Sequence, residues 1–156
     1  IYSLSNAQTI EDIEEIHNEF SENVLMKKYN YKSFQKVNPD KTLTNNLNKI
    51  IINNYEVYIG KNNKQNDYLT LHFANKSDLW FHAQGFHGAH VILRTNGKNP
   101  DEDTIFKCAV IAKQNCKASL ERNVSVDYTY IKFVKKHPNG KTGMVNYTNY
   151  KTIIVP

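Results

Sequence analysis

Between Ile50 and Arg94 short apolar runs alternate with stretches that are almost wholly polar, and any fold of this chain has to accommodate that punctuation. Ile50, Ile51 and Ile52, then Tyr55, Val57 and Ile59, flank Asn53-Asn54 in the pattern of two strands joined by a tight turn. Gly60 then opens a loop, Lys61 to Asp67, built from amides, amines and one carboxylate. Such a loop gathers backbone N–H groups and short polar side chains in one place. Tyr68, Leu69, Leu71 and Phe73 read as the next strand, with Asn75 to Asp78 as a turn. Leu79–Ala83 and Ala89–Arg94 read as two more, joined by Gln84-Gly85-Phe86-His87-Gly88, whose glycines allow a tight excursion.

Downstream, Asn99 to Ser119 has the signature of one long helix. Asn99 can cap it, Pro100 suits the first helical position and Glu102 follows the cap by three residues. Ile105, Cys108, Ala109, Ala112 and Cys116 form a stripe of small and apolar residues that lets a helix lie close on a sheet. Beyond Arg122 the period returns to two: Val124, Val126, Tyr128 and Tyr130 alternate, and Phe133-Val134 leads into the basic turn Lys135 to Lys141. Met144, Val145 and Tyr147, then Thr152 to Val155, complete the strands. The expected class is α+β, mostly antiparallel strands with one long central helix, plus an N-terminal coiled-coil-like helix.

That N-terminal helix rests on Ile10, Ile13, Ile16, Phe20 and Val24 at spacings of three and four, with Thr9 and Asp12 placed as a capping box. Its narrow stripe and charged flanks suit the end of a coiled-coil arm, residues 1–29, through which the module would join the rest of its own chain; a helix covering its own core is the alternative. Residues 30–48 read as a linker and 49–156 as the folded module. A start at Ile1 rather than methionine leads us to expect a processed product or a piece of a longer protein.

A chain of 156 residues can bury one real core without metals or disulfides. Its net charge of +5 is unevenly placed: residues 9–31 hold six acids and two lysines, whereas 32–156 hold eighteen Lys or Arg against nine acids. The compact part is thus strongly basic, which favours a polyanionic partner; an anionic membrane is the competing reading, but no Lys-rich amphipathic helix supports it. Cys108 and Cys116 are neither a disulfide framework nor a zinc knuckle and suit a reducing compartment. With no apolar run near 18 residues and no signal peptide, a cytoplasmic location is expected.

Three separated blocks resemble the NFACT-R domain, the C-terminal RNA-associated module of the bacterial proteins called RqcH or fibronectin-binding protein A and of their eukaryotic ribosome quality control counterparts. The first is Gly60-Lys61-Asn62-Asn63-Lys64-Gln65-Asn66-Asp67. The second comprises Asp78, Trp80 and His82, then Gly88-Ala89-His90-Val91, with Arg94 ending the strand. The third is Val126-Asp127-Tyr128-Thr129 with Val134 to Gly140 and Gly143. Lys61 stands where the family pattern has Arg, keeping charge but losing the planar fork that matches a phosphate. His87 stands for Pro and Ala89 for Ser. The resemblance implies a non-catalytic module of a factor that binds the stalled large ribosomal subunit, its rRNA and peptidyl-tRNA, and recruits alanyl-tRNA for C-terminal tailing. It implies a ribosome-associated location and no cofactor.

On that reading Lys61, Lys64, Arg94, Lys132, Lys135, Lys136 and Lys141 are candidates for phosphate contacts. Asn62, Asn63, Gln65 and Asn66 would bond ribose or backbone oxygens. The alternative is a solvated lysine face, with the amides and Asp67 tying down a turn. His82 and His90, with His87, could hold zinc, but they lack a metal-ligand spacing; bonds that fix the connection, or contacts to RNA phosphate, are preferred. Because Trp80 and Phe81 alternate, one of them is expected in the core. Tyr128 and Tyr130 share a face and either line the sheet or stack on bases. Gly60, Asp67, Asp78, Trp80, Gly88, Asp127, Tyr128 and Gly143 are assigned structural roles. No residue is assigned to catalysis or metal binding. Two other classes remain as alternatives: an adhesin domain that binds extracellular-matrix protein, and a metal-dependent hydrolase.

Overall fold

A computed structural model describes residues 47–156; the coiled-coil arm and most of the expected linker lie outside the described residues. Two strands, β1 (Asn48–Ile52) and β2 (Tyr55–Ile59), form a hairpin. Asn53 and Asn54 both have positive φ, 48° and 69°, which is what a tight two-residue turn requires and asparagine tolerates. Next come a short helix α1 (Asn63–Tyr68) and a turn of π-helix (Leu69–Phe73). They are followed by β3 (Leu79–Ala83), β4 (Val91–Leu93), the long helix α2 (Glu102–Gln114) and β5 (Val124–Tyr130). A 3-10 turn (Ile131–Phe133) leads to β6 (Val134–Lys136), β7 (Val145–Tyr147) and β8 (Lys151–Val155).

Six strands form one antiparallel sheet in the order β1-β2-β4-β3-β5-β8, and β6 and β7 form a separate ribbon. The sheet is covered on both faces. Val57, Leu79, Phe81, Val91, Leu93 and Val126 share a cluster with Cys108, Ala109 and Ala112 of α2. Tyr58, Trp80 and Ile92, of opposite parity, cluster with Leu69, Ile131 and Val134, and Val145 and Tyr147 pack against them. Each fully buried Leu, Val or Phe contributes about 1.5–3 kcal/mol of transfer free energy, so both layers hold the sheet. This three-layer build corrects one expectation: Trp80 and Phe81 are both fully buried, because both faces of the central strands are covered.

Two further corrections concern helices. Lys61–Asp67 is not an open loop, and Tyr68–Phe73 is not a strand. Asn62 caps α1: its Oδ1 accepts from the Gln65 N–H at 2.9 Å, and Gln65 Oε1 accepts from the Lys61 N–H at 2.9 Å. That reciprocal pair satisfies two donors at the start of a helix. Once begun, the helix continues into the π-turn, closed by the Ala74 N–H on the Leu69 carbonyl at 2.9 Å. Leu69 and Thr70 are buried and Phe73 packs on the same cluster, the spacing of a helical face rather than of a strand.

Helix α2 starts later than expected. Its cap is Asp101, which accepts from the Thr104 N–H at 2.9 Å, in place of Asn99. Glu102 and Asp103 in the first turn and Lys113 in the last complement the helix dipole. It also ends earlier, at Gln114, because the backbone beyond it pairs with the β3–β4 connection. The Ala89 N–H donates to the Asn115 carbonyl at 2.9 Å and the Lys117 N–H to the His87 carbonyl at 3.0 Å. Gly88 lies in a bridge against Cys116, whose Cβ would stand 2.5 Å from any Cβ placed there.

Candidate nucleic-acid interface

Asp67 joins two blocks that lie far apart in the chain. Its Oδ1 accepts from the Gly143 N–H at 2.8 Å, and its Oδ2 lies 3.6 Å from Lys136 Nζ. Gly143, at φ +88°, carries the β6–β7 ribbon up to Asn63, whose Oδ1 is 2.9 Å from the position of a Cβ; a side chain there would be both strained and crowded. The ribbon is thereby stapled to α1. Lys61, Asn62 and Lys64 on one side and Lys135, Lys136 and Lys141 on the other are exposed. Strand alternation puts Lys136 on the side of buried Val134, facing Asp67, and Lys135 on the outer side.

Of the α1 amides, only some face outward. Gln65 and Asn66 are buried. Asn66 Nδ2 donates to the Gly88 carbonyl at 3.3 Å and its Oδ1 accepts from the His90 N–H at 3.0 Å, so it stands in for a strand partner of the connection. These two residues move from contact to scaffold. The Gly60 N–H donates to the His90 carbonyl at 3.0 Å, and a Cβ on Gly60 would come within 2.0 Å of Asn66 Oδ1. Glycine is required by this approach.

Arg94 is also corrected. Its side chain is 18% exposed; Nε lies 3.3 Å from fully buried Asp78, and Nη2 donates to the Phe73 carbonyl at 3.1 Å. The guanidinium sits 4.4 Å from the Phe73 ring centroid and 5.5 Å from that of Tyr58. It braces the sheet against the π-turn and leaves no free fork for a phosphate. Asp127, fully buried, accepts from Tyr147 Oη and Thr152 Oγ1, both at 2.6 Å. Tyr128 stacks on Phe81 at 5.4 Å and lines the sheet, whereas Tyr130 is 37% exposed.

The two histidines are neutral. Burial lowers His82 to about 4 and His90 to about 3, with Asp127 partly opposing the shift at His82 and the neighbouring His82 adding to that at His90. His90 is 2% exposed and shares a 2.8 Å hydrogen bond with the Thr70 hydroxyl. Its ring and that of His82 lie edge-on at 5.3 Å beside Trp80. A buried, uncharged imidazole offers nothing to a phosphate, so His90 joins the scaffold. Among the described residues no group of three or more His, Cys, Asp or Glu is arranged to hold a metal.

These imidazoles give an acid signature. Both folded values lie below the unfolded one, so stability is complete above about pH 6.5 and declines below it. The loss approaches about 1.4 kcal/mol per pH unit for each group, down to pH about 4 for His82 and about 3 for His90. Urea unfolding at pH 7, 6, 5 and 4.5 is expected to show this decline, and His90→Gln to flatten it. Identical slopes for the variant and the unaltered chain would exclude this origin.

Lys132 does not join the α1 patch. Its Nζ lies 4.9 Å from the Phe133 ring and 5.6 Å from that of Tyr130, beside Lys76 and Lys98, which the sequence reading did not single out. Single lysines in two separate turns form no motif. The strand register alone brings those turns together.

Among the described residues no helix is long and apolar enough to cross a membrane. The sequence profile of the NFACT protein RNA binding domain matches residues 49–149. The chain is 36% identical over 155 residues to the Rqc2 homolog RqcH of Bacillus subtilis, covering 99% of this chain and 26% of that protein. It is 30% identical over 107 residues to coiled-coil domain-containing protein 25 of Bos taurus, covering 64% of this chain and 50% of that protein. Among solved structures, the C-terminal part of the fibronectin/fibrinogen-binding protein of Streptococcus suis superposes with a TM-score of 0.70 at 31% identity, over 97% of this chain and 59% of that one. This chain thus spans about a quarter of the RqcH relatives' length. Its profile match and its relatives agree: the chain belongs to the NFACT protein RNA binding domain family.

Proposed function

We propose that the surface made by the start of α1 and the β6–β7 ribbon holds the ribose-phosphate backbone of RNA for a ribosome quality control factor. Lys61, Lys64, Lys135, Lys136 and Lys141 supply phosphate contacts, and Asn62 and Asn63 bond ribose or backbone oxygens. The parent protein would bind the stalled large ribosomal subunit and its peptidyl-tRNA in the cytoplasm and support recruitment of alanyl-tRNA for C-terminal tailing. The observation that carries this reading is the Asp67 staple, which sets the ribbon's cations beside α1.

Binding of structured RNA by this chain should depend steeply on salt. Each neutralised phosphate adds about 0.7–0.9 to the log-log slope. The triple variant Lys135→Glu, Lys136→Glu, Lys141→Glu is expected to lower the slope by about 2–3 and the affinity at low salt by at least about tenfold. Filter binding from 50 to 300 mM salt reads both, and an unchanged slope rejects the surface. Crosslinking the parent protein on stalled large subunits then asks whether rRNA, tRNA or ribosomal protein lies against residues 60–67. The name of the Streptococcus suis relative supports a second reading, binding of a host matrix protein, which predicts salt-tolerant association instead.

A further inference from the structure

We infer that a second, separate cleft, lined by Lys76, Ser77, Lys98, Asn99, Tyr130 and Lys132, binds a single-stranded RNA segment with one base stacked on Tyr130. The strand register builds it. Leu79 opens β3 opposite both Leu93, at the end of β4, and Tyr130, at the end of β5. The turn before β3, the turn after β4 and the 3-10 turn after β5 therefore meet at one end of the sheet. They line an open surface cleft of about 340 Å³, room for one nucleotide to lie against it.

Its walls are bonded to one another. Thr95 Oγ1 donates to the Ser77 carbonyl at 2.8 Å, and the Lys132 N–H donates to the Lys76 carbonyl at 3.3 Å. The Lys98 N–H donates to the Thr95 carbonyl at 3.0 Å, closing a turn in which Asn96 and Gly97 have φ of 51° and 76°. Lysines borne on such fixed turns stay near one another.

Charge then selects the ligand. Among the described residues Lys76, Lys98 and Lys132 have no carboxylate within ion-pair distance. The acids nearest in sequence are committed elsewhere: Asp78 to Arg94 and the Thr95 N–H, Asp101 to the cap of α2. Three like charges around one cleft repel until an anion enters. Beside them stands an exposed aromatic ring. A second, smaller cleft, lined by Tyr128, Asn149 and Lys151 among others, shares Tyr130 and Asn99 with the first, so the half-exposed ring borders both clefts, with Lys132 Nζ 5.6 Å from its centroid. Cations spaced around an aromatic platform are what a single strand needs: phosphates on the lysines, and a base against the ring. A duplex, with its bases stacked inside, cannot use Tyr130.

The inference rests on the RNA reading for the class of ligand and on different residues for the site. Its probe is a ten-residue uridine RNA carrying 2-aminopurine at its centre, titrated into this chain. The unaltered chain should change the probe's emission on binding, and should bind the single strand more tightly than the same sequence in a duplex. Tyr130→Leu should abolish the emission change and weaken binding by about 5- to 100-fold, whereas Tyr130→Phe retains both. The triple variant Lys76→Gln, Lys98→Gln, Lys132→Gln should lower the salt slope by about 2. If the ribbon variant loses this probe while the Tyr130 and cleft-lysine variants bind it normally, the cleft proposal is wrong and the RNA reading stands. No binding of any RNA by the unaltered chain overturns both. All substituted side chains are exposed, and an unshifted thermal midpoint confirms that each variant is folded.

Discussion

Replacing Asp78 by alanine is expected to lower the unfolding free energy by about 3–5 kcal/mol, because it strands a largely buried guanidinium. Asp78 is fully buried, and both its oxygens are in use. Oδ2 accepts from the Asn75 N–H at 2.9 Å and from Arg94 Nε at 3.3 Å, and Oδ1 accepts from the Thr95 N–H at 3.2 Å. Removing it leaves two backbone donors without acceptors and takes from Arg94 its 3.3 Å carboxylate, with the guanidinium still lodged against Phe73 and Tyr58. Removing the charge as well should be kinder: Arg94→Met keeps the packed stem, and in the Asp78→Ala background it should recover about 1–2 kcal/mol. Urea denaturation of the two single variants and the double variant measures the coupling. Additive losses would show that the pair is not a unit. Asp78→Ala should also loosen the turn that carries Lys76 and Ser77, so it is unsuited as a probe of the cleft.

Gly60→Ala is expected to cost about 3 kcal/mol or more, an unusual penalty for adding one methyl group. The new Cβ would fall 2.0 Å from Asn66 Oδ1, and the Asn66 amide is held in place by its bonds to His90 and Gly88. If its amide moves, the His90 N–H loses its 3.0 Å acceptor and the Gly88 carbonyl its 3.3 Å donor. An unsatisfied buried group costs about 1–3 kcal/mol, and forcing extra volume into a packed site about 1–3 more. The discriminating measurement is the double variant Gly60→Ala, Asn66→Ala. Cutting Asn66 back to its Cβ removes the clash, so the double variant should lose clearly less than the sum of the singles. If the losses add, the overlap is not the cause.

Both residues belong to the motif blocks that the sequence reading singled out, yet the reading divided the labour within those blocks only in part. Asp67, Asp78 and Asp127, read as structural, bond to Gly143, to Arg94 and Thr95, and to Tyr147 and Thr152. Gln65, Asn66, His90 and Arg94 were read as RNA contacts and are buried or pinned instead. A string of amides and a basic residue looks the same whether its side chains face water or bond the neighbouring backbone, since residue type records chemistry and not direction. One local signal was available for α1: Asn62 followed three residues later by Gln65 is a capping box, and it predicts the helix that the alternation of Leu69, Leu71 and Phe73 concealed. Nothing local marks Lys76 and Lys98, because a lysine in a turn is ordinary.

What the residue order decided by itself is the set of pieces: the Asn53-Asn54 hairpin, the strands Leu79–Ala83 and Val124–Tyr130, the helix that carries Cys108 and Ala112, and the surplus of lysine. Those features follow from nearest-neighbour sterics and from periods of two and 3.6 residues, which act over a few positions and can be counted along the chain. Only the tertiary structure decided which cations share a surface. That depends on a sheet covered on both faces, on an antiparallel register that brings three turns to one end, and on a single hydrogen bond from Gly143 to Asp67 across 76 positions of sequence. Contacts of that span are selected by how all the pieces pack together, and no stretch of the chain read alone contains them.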